Sequence, residues 1–139
     1  MGERTTEERE RVLRTLERGG FVAPGAEADA LLEASSEGVG PIEDLVARRL
    51  RGEPLAWITG WVRFCGLRVR VDRGVFVPRP HTEALARRAV DLLPAAGIGV
   101  DLCTGSGAVG AVLGAGRPRA SVVATDLDLV AVACAQRNR

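Results

Sequence analysis

Asp101-Leu-Cys-Thr-Gly-Ser-Gly107 is the stretch of this sequence whose residue types and spacing could do chemistry. Gly105 and Gly107 permit a positive φ and let backbone approach a ligand closely. The first amides of the helix expected after them lack intrahelical partners and point at whatever occupies the turn. Asp126 ends the following strand, where a carboxylate could accept both hydroxyls of a ribose. Together these residues describe a cradle for an adenosine-containing cofactor, lying across the carboxyl edge of a parallel sheet.

Two cofactor classes compete for that cradle. Gly105-Ser-Gly-Ala-Val-Gly110 matches the dinucleotide pattern G-x-G-x-x-G, and Asp126 stands near the distance at which such sites carry an acid. Asp101 argues the other way. A carboxylate at the strand end, four positions before Gly105, would repel a pyrophosphate but attract the ammonium of a methionine moiety. An acid before the glycines and a second acid after the next strand favour S-adenosylmethionine, and Gly110 then becomes a packing glycine. Plainer roles stay open: Asp101 as a cap on the following turn, Asp126 as a turn acid of Asp126-Leu-Asp128. Cys103 reads as a small loop residue with nothing to activate its thiol, and His81, the only histidine, as a surface linker residue.

The elements that must position these residues are α-helical first and mixed later. Thr5 and Glu8 fit a capping box, with Val12, Leu13 and Leu16 as the apolar stripe before Gly19-Gly20. Pro24 opens a second helix carrying Ala28, Leu31 and Leu32 and ending near Gly38. Pro41 opens a third with Ile42, Leu45, Val46 and Leu50, whose Arg48, Arg49 and Arg51 suit a solvated last turn at the negative end of the dipole. Leu67, Val69 and Val71 alternate with Arg68 and Arg70 as a half-buried strand; Asp72-Arg-Gly74 reads as a turn, and Val75-Phe-Val77 as the strand that pairs back. Pro78-Arg-Pro80 excludes helix, and Thr82 is the expected N-cap of a helix to Leu93 with Leu85, Ala86, Ala89 and Val90 inward. A short buried strand at 98–102, the glycine turn, a helix to about Ala115, a strand at 121–125 and a helix capped by Asp128 complete a β-α-β-α pattern.

Composition narrows the setting. The 139 residues suit one domain with a small appendage, and the apolar fraction of 46% can bury a core. All 19 basic residues are arginine, yet the net charge is only +1, which gives no electrostatic case for nucleic acid or an anionic membrane. Three cysteines, Cys65, Cys103 and Cys134, have no metal-type spacing and suit a reducing, cytoplasmic setting. No apolar run reaches membrane-spanning length, and the charged start lacks a signal-peptide core.

Residues 52–138 resemble the HemK/PrmC family of protein-(glutamine-N5) methyltransferases. The resemblance is carried by Gly52-Glu-Pro-Leu, Gly60-Trp-Val-Arg-Phe-Cys-Gly-Leu, Val77-Pro-Arg-Pro-His-Thr-Glu83, Val100-Asp-Leu-Cys-Thr-Gly-Ser-Gly-Ala108, Ala124-Thr-Asp126 and Ala135-Gln-Arg-Asn138. The Pro-Arg-Pro-x-Thr-Glu element is far more specific than the glycine loop. The resemblance implies an α/β chain: a helical substrate-binding region over 1–52, a short helix and β-hairpin linker over 53–80, and over 81–139 the first β-α-β-α part of a Rossmann-like class I methyltransferase domain, with an incomplete sheet. It implies S-adenosylmethionine as cofactor and the glutamine of the Gly-Gly-Gln loop of peptide chain release factors as acceptor. Cys103, Thr104, Gly105, Ser106 and Gly107 would line the methionine part beside Asp101, and Asp126 the ribose. Phe76, Pro78 and Arg79 would lie beside the pocket.

The family's catalytic motif, Asn-Pro-Pro-Tyr, does not occur: the only Asn is Asn138 and the sequence has no Tyr. The chain is therefore expected to be a cofactor-binding piece of a longer enzyme, inactive by itself, without a metal site. Two other readings differ in kind. A methyltransferase for nucleic-acid bases would need a basic stripe and salt-dependent binding, for which the sequence shows no sign. A non-catalytic protein-binding module would give no heat with S-adenosylmethionine, with or without Asp126.

Overall fold

A computed structural model describes the backbone of residues 2–139 and the side chains of residues 6–139. Contacts divide the chain into two compact units, Met1–Thr59 and Gly60–Arg139.

The first unit is helical: α1 (Gly2–Arg18), α2 (Pro24–Ser36), α3 (Ile42–Leu50) and α4 (Leu55–Thr59). The start expected at Thr5 is not the start of α1, which already runs through that residue from Gly2; the Thr5 side chain lies outside the described residues. Val12 and Leu16 of α1 meet Ala28, Leu31 and Ala34 of α2, Ile42 and Leu45 of α3 and Ile58 of α4 in one buried cluster. Each helix alone would leave an apolar stripe in water, and α2 touches all three others to cover them. Arg48 and Arg49 do not lie on a solvated face. Arg49 follows Ile42 and Leu45 at helical spacing, so it shares their inward arc. Its guanidinium bonds both carboxylate oxygens of Glu27 on α2 and stands 4.2 Å from the Phe21 ring centroid. Arg48 pairs with Glu53 at 2.7 Å.

The second unit contains β1 (Trp61–Phe64), β2 (Leu67–Arg70), α5 (Thr82–Leu92), β3 (Ile98–Leu102), α6 (Ala108–Gly116), β4 (Ser121–Thr125) and α7 (Leu129–Gln136). β1 and β2 form an antiparallel hairpin, and β3 and β4 a parallel pair joined through α6. This is a mixed α/β architecture with two small sheets, compatible with part of an α/β methyltransferase fold. Phe64 and Val69 of the hairpin pack with Ala86 of α5 and with Ala108 and Val112 of α6. Among the described residues no helix is long and apolar enough to cross a membrane.

Four expectations change here. The partner of the Leu67 strand is Trp61–Phe64, not Val75–Val77. Cys65 and Gly66, both at positive φ (50° and 82°), make the two-residue turn whose twist suits a hairpin. The turn at Asp72 does form, with the Val75 amide donating to the Asp72 carbonyl at 3.0 Å. However, the other edge of β2 is already occupied by Asn138, which bonds both backbone groups of Arg70. The helix expected after Thr82 begins with that residue itself: His81 holds the cap position, and no side chain caps the end. Leu85 is 61% exposed, while Ala86 is buried on the inward face. Finally, β3 is not buried. Ile98, Val100 and Leu102 on one face are 74%, 58% and 71% exposed, beside Val123 of β4. Gly99 of the other face meets Leu113 of α6 and Leu93. One face of this parallel pair is covered and the other presents apolar side chains.

Candidate functional site

The carboxyl ends of β3 and β4 carry the site. The Thr104 amide donates to the Thr125 carbonyl at 2.9 Å, so the turn leaving β3 is tied across to the end of β4. The Gly107 amide donates back to the Thr104 carbonyl at 2.9 Å, which closes the turn on itself. Cys103 (φ 57°), Gly105 (φ 57°) and Gly107 (φ 79°) all take left-handed conformations. Cys103 is an exposed residue in a conformation usually left to glycine.

The two glycines do different work. A Cβ at Gly107 would stand 2.9 Å from the Ala135 Cβ and 3.0 Å from its Cα, so α7 packs where only a hydrogen fits. A Cβ at Gly105 would meet nothing within 4 Å. Gly107 is thus a packing position, and Gly105 borders open space at the mouth of the turn.

Asp101 and Asp126 brace the turn from both sides. One oxygen of Asp101, Oδ2, accepts from the Thr104 hydroxyl at 2.6 Å and from the Gly110 amide at 3.0 Å. Gly110 lies in the first turn of α6, where an orphan amide beside a carboxylate also satisfies the helix dipole. The plainer role of Asp101 as a cap is therefore realised, through one of its two oxygens. A Cβ at Gly110 would come within 3.4 Å of that oxygen, which is a close fit of helix against strand end. Asp126 Oδ2 accepts the Gly105 amide at 2.8 Å, and Oδ1 the Asp128 amide at 3.0 Å. These amides, that of Asp128 foremost and then Gly105, hold its carboxyl below the usual range, so it is a carboxylate at neutral pH. A carboxylate oxygen has two lone-pair positions, so each oxygen of Asp126 retains capacity for a hydroxyl donor. The plainer role as turn acid is thus realised, through one amide on each oxygen.

Behind the turn is a latch that the sequence did not announce. Asn138, just after α7, donates from Nδ2 to the Ser106 carbonyl at 2.7 Å and to the Arg70 carbonyl at 2.8 Å. Its Oδ1 accepts the Arg70 amide at 2.8 Å. Nearby, the Cys134 thiol bonds the Arg70 carbonyl and receives the Asp72 amide, and Arg137 pairs with Asp72. Burial pushes the Cys134 thiol up, so it stays protonated and unreactive. The end of α7 thus ties the hairpin to the glycine turn. The motif around Asn138 was visible in the sequence, but its partners lie 68 and 32 residues away.

Phe76, Pro78 and Arg79 lie on the irregular segment before α5, where Arg79 stands 5.7 Å from the exposed Phe76 ring. Among the described residues no hydrogen bond joins these three to the glycine turn. Ser106 is buried and Thr104 half-buried inside the turn. Among the described residues no cluster of side chains could hold a metal ion.

No protein-family model matches the chain. Curated proteins do. The chain is 44% identical over 94 residues to a protein named release factor glutamine methyltransferase from Neisseria gonorrhoeae, covering 68% of the chain and 34% of the relative. It is 36% identical over 111 residues to the protein of that name from Thermodesulfovibrio yellowstonii, covering 77% of the chain and 40% of the relative. The Corynebacterium glutamicum protein of the same name is 39% identical over 142 aligned positions, which cover 89% of the chain and 50% of the relative. The chain therefore spans between about a third and a half of the length of these relatives. With its glycine turn braced by two carboxylates, the chain belongs to the release factor glutamine methyltransferase family and corresponds to the N-terminal part of its members.

Proposed function

We propose that the chain forms the cofactor-holding part of an S-adenosylmethionine-dependent enzyme of Rossmann-like class I architecture. The acceptor is the side-chain amide of the glutamine in the Gly-Gly-Gln loop of peptide chain release factors, and the setting is cytoplasmic. In this reading residues 1–52 help to hold the protein substrate, residues 53–80 link, and residues 81–139 begin the cofactor domain. One observation carries it: Gly105 borders open space between two strand-end carboxylates, one of them hydrogen-bonded to the Gly105 amide itself.

The residues present fit such a cofactor. Asp126, ionised and with lone pairs remaining, takes the ribose hydroxyls. Asp101 keeps Oδ1 for the ammonium of the methionine moiety, directly or through water. Cys103 to Gly107 line the methionine chain, and Phe76, Pro78 and Arg79 close the pocket's outer side. The Gly110 contact supports this choice over a dinucleotide, because the third glycine of the pattern packs on a carboxylate that would repel a pyrophosphate. When bound, S-adenosylmethionine supplies an electrophilic methyl group. An amide nitrogen is a weak nucleophile, since its lone pair is delocalised, so the acceptor must be clamped and aimed. These 139 residues contain no Asn-Pro-Pro-Tyr to do that; they hold the donor.

Calorimetric titration of the chain with S-adenosylmethionine tests the reading. Weak binding is expected, and Asp126→Ala should weaken it by about tenfold or more, the worth of a charged hydrogen bond. Binding of a nicotinamide dinucleotide in place of S-adenosylmethionine would refute it. In a full-length family member carrying this segment, mass spectrometry of the release factor should show one added methyl on the loop glutamine.

A further inference from the structure

The glycine turn is fastened locally through its amides: that of Thr104 to Thr125, that of Gly105 to Asp126, and that of Gly107 to the Thr104 carbonyl. Its Ser106 carbonyl is held from further away, by Asn138 Nδ2 at 2.7 Å. An Asn side chain offers two N–H donors and one carbonyl. In Asn138 both donors are committed, one to Ser106 and one to the Arg70 carbonyl at 2.8 Å, while Oδ1 accepts the Arg70 amide. The planar amide cannot turn towards one partner without releasing the other.

The peptide that Asn138 holds is able to reverse. Reversal of the Ser106–Gly107 peptide changes ψ of Ser106 and φ of Gly107, and glycine populates both signs of φ alike. Gly107 stands at φ 79° and, on the other side of Ser106, Gly105 at 57°. Asn138 on the carbonyl of this peptide and Thr104 on its amide oppose the reversal, which would reshape the mouth beside Gly105. Cys134 grips the same edge of β2 from α7, donating to the Arg70 carbonyl at 3.5 Å and accepting the Asp72 amide at 3.4 Å. Loss of the Asn138 side chain therefore cuts the link to the turn while α7 keeps its hold on β2.

We propose that Asn138 is a positioning residue for the cofactor: it keeps the turn in its binding shape, and it links occupancy of the turn to the closed state of the β2 edge at Arg70. The inference rests on the S-adenosylmethionine reading above. Such a link is reciprocal. By whatever factor the cofactor prefers the latched turn over the unlatched one, occupancy must favour the latched state by the same factor.

Titration calorimetry of the whole chain with S-adenosylmethionine, beside amide hydrogen exchange with and without it, is the test. Asn138→Ala should weaken binding about fivefold, the low end of coupling between sites. Leu93→Ala empties a buried position against Gly99 of β3, so it should lose at least as much stability yet keep its affinity. In the wild type, saturating cofactor should slow exchange of the Arg70 amide by about the same fivefold factor. That amide lies on an exposed edge and exchanges by local opening, so its response is separate from global stability. The Ser121 amide, bonded to the Gly97 carbonyl at the far end of β4, should not respond. In Asn138→Ala the Arg70 response should vanish. A purely structural Asn138 would change stability and leave the affinity of the folded chain unmoved. Wild-type affinity in Asn138→Ala, an equal loss in Leu93→Ala, or no slowing at Arg70 in the wild type would each overturn the proposal. The last needs no variant, so it decides the matter even if Asn138→Ala does not fold. A wild type that fails to bind the cofactor removes the reading and this inference together, whereas binding without these changes removes the inference alone.

Discussion

Replacing Asn138 separates its donor role from its acceptor role. In Asn138→Ala three hydrogen bonds disappear: two to the exposed Arg70 backbone, and one to the part-buried Ser106 carbonyl. Water can recover the first two, so each is worth about 0.5 kcal/mol; the third lies beside a residue only 2% exposed and is worth about 1 kcal/mol or more. The sum is about 2 kcal/mol. Asn138→Asp keeps an acceptor for the Arg70 amide but sets a carboxylate oxygen against two carbonyls now 2.7 and 2.8 Å away. It should therefore be worse than alanine at neutral pH and should recover towards the alanine value when the carboxyl is protonated. Urea unfolding at pH 7 and at about pH 4 measures both differences. Hydrogen exchange at the Arg70 amide should rise in Asn138→Ala and stay closer to wild type in Asn138→Asp. If Asn138→Asp matched wild type at neutral pH, the amide could not be donating to both carbonyls, and the latch would be refuted.

Three further expectations follow from the same geometry. Gly107→Ala combines a left-handed φ with a Cβ 2.9 Å from Ala135, and should cost about 3 kcal/mol by thermal or urea unfolding; a loss below about 1 kcal/mol would mean α7 does not pack there. Asp126 has a lowered folded-state pKa, so its contribution is present above the unfolded value near 3.9 and is lost as pH falls through the lower folded value. The stability gap between wild type and Asp126→Asn should thus be constant above about pH 5 and shrink below about pH 4, and a gap that grew on acidification would contradict the assigned bonds. In the helical unit, the Arg49–Glu27 pair is part-buried at 17% and 14% side-chain exposure, so Arg49→Ala should cost about 2 kcal/mol. A double-mutant cycle with Glu27→Gln should give a coupling near 1 kcal/mol, whereas additive effects would return Arg49 to a solvated role.

Much of the local structure was legible because it depends on neighbours in sequence. Pro24 and Gly38 bracket α2, Asp128 caps α7 through the Val130 amide at 2.8 Å, and the strands at Ile98 and Ser121 run as their apolar patterns indicate. The strand expected at Val75 failed for a reason no local pattern contains. Both it and Trp61–Phe64 have strand-like composition, and the choice fell to the tight turn at Cys65-Gly66 and to Asn138 holding the competing edge. Arg49 misled for a related reason: a basic residue in a last turn usually faces water, but here an acid on another helix awaited it.

By itself the sequence determined the chemistry available at the turn: two strand-end acids, glycines where the backbone must be left-handed, and no Asn-Pro-Pro-Tyr among these residues. Those are properties of residue type and spacing, set by covalent geometry and short-range sterics. Only the tertiary structure decided which glycine meets packing and which meets open space. It also decided that Asp101 spends one oxygen on the framework, and that Asn138 bonds the hairpin and the turn with one side chain. Each of these depends on elements far apart in the chain meeting at contact distance, and a hydrogen bond or a steric clash reads that distance rather than the separation in sequence.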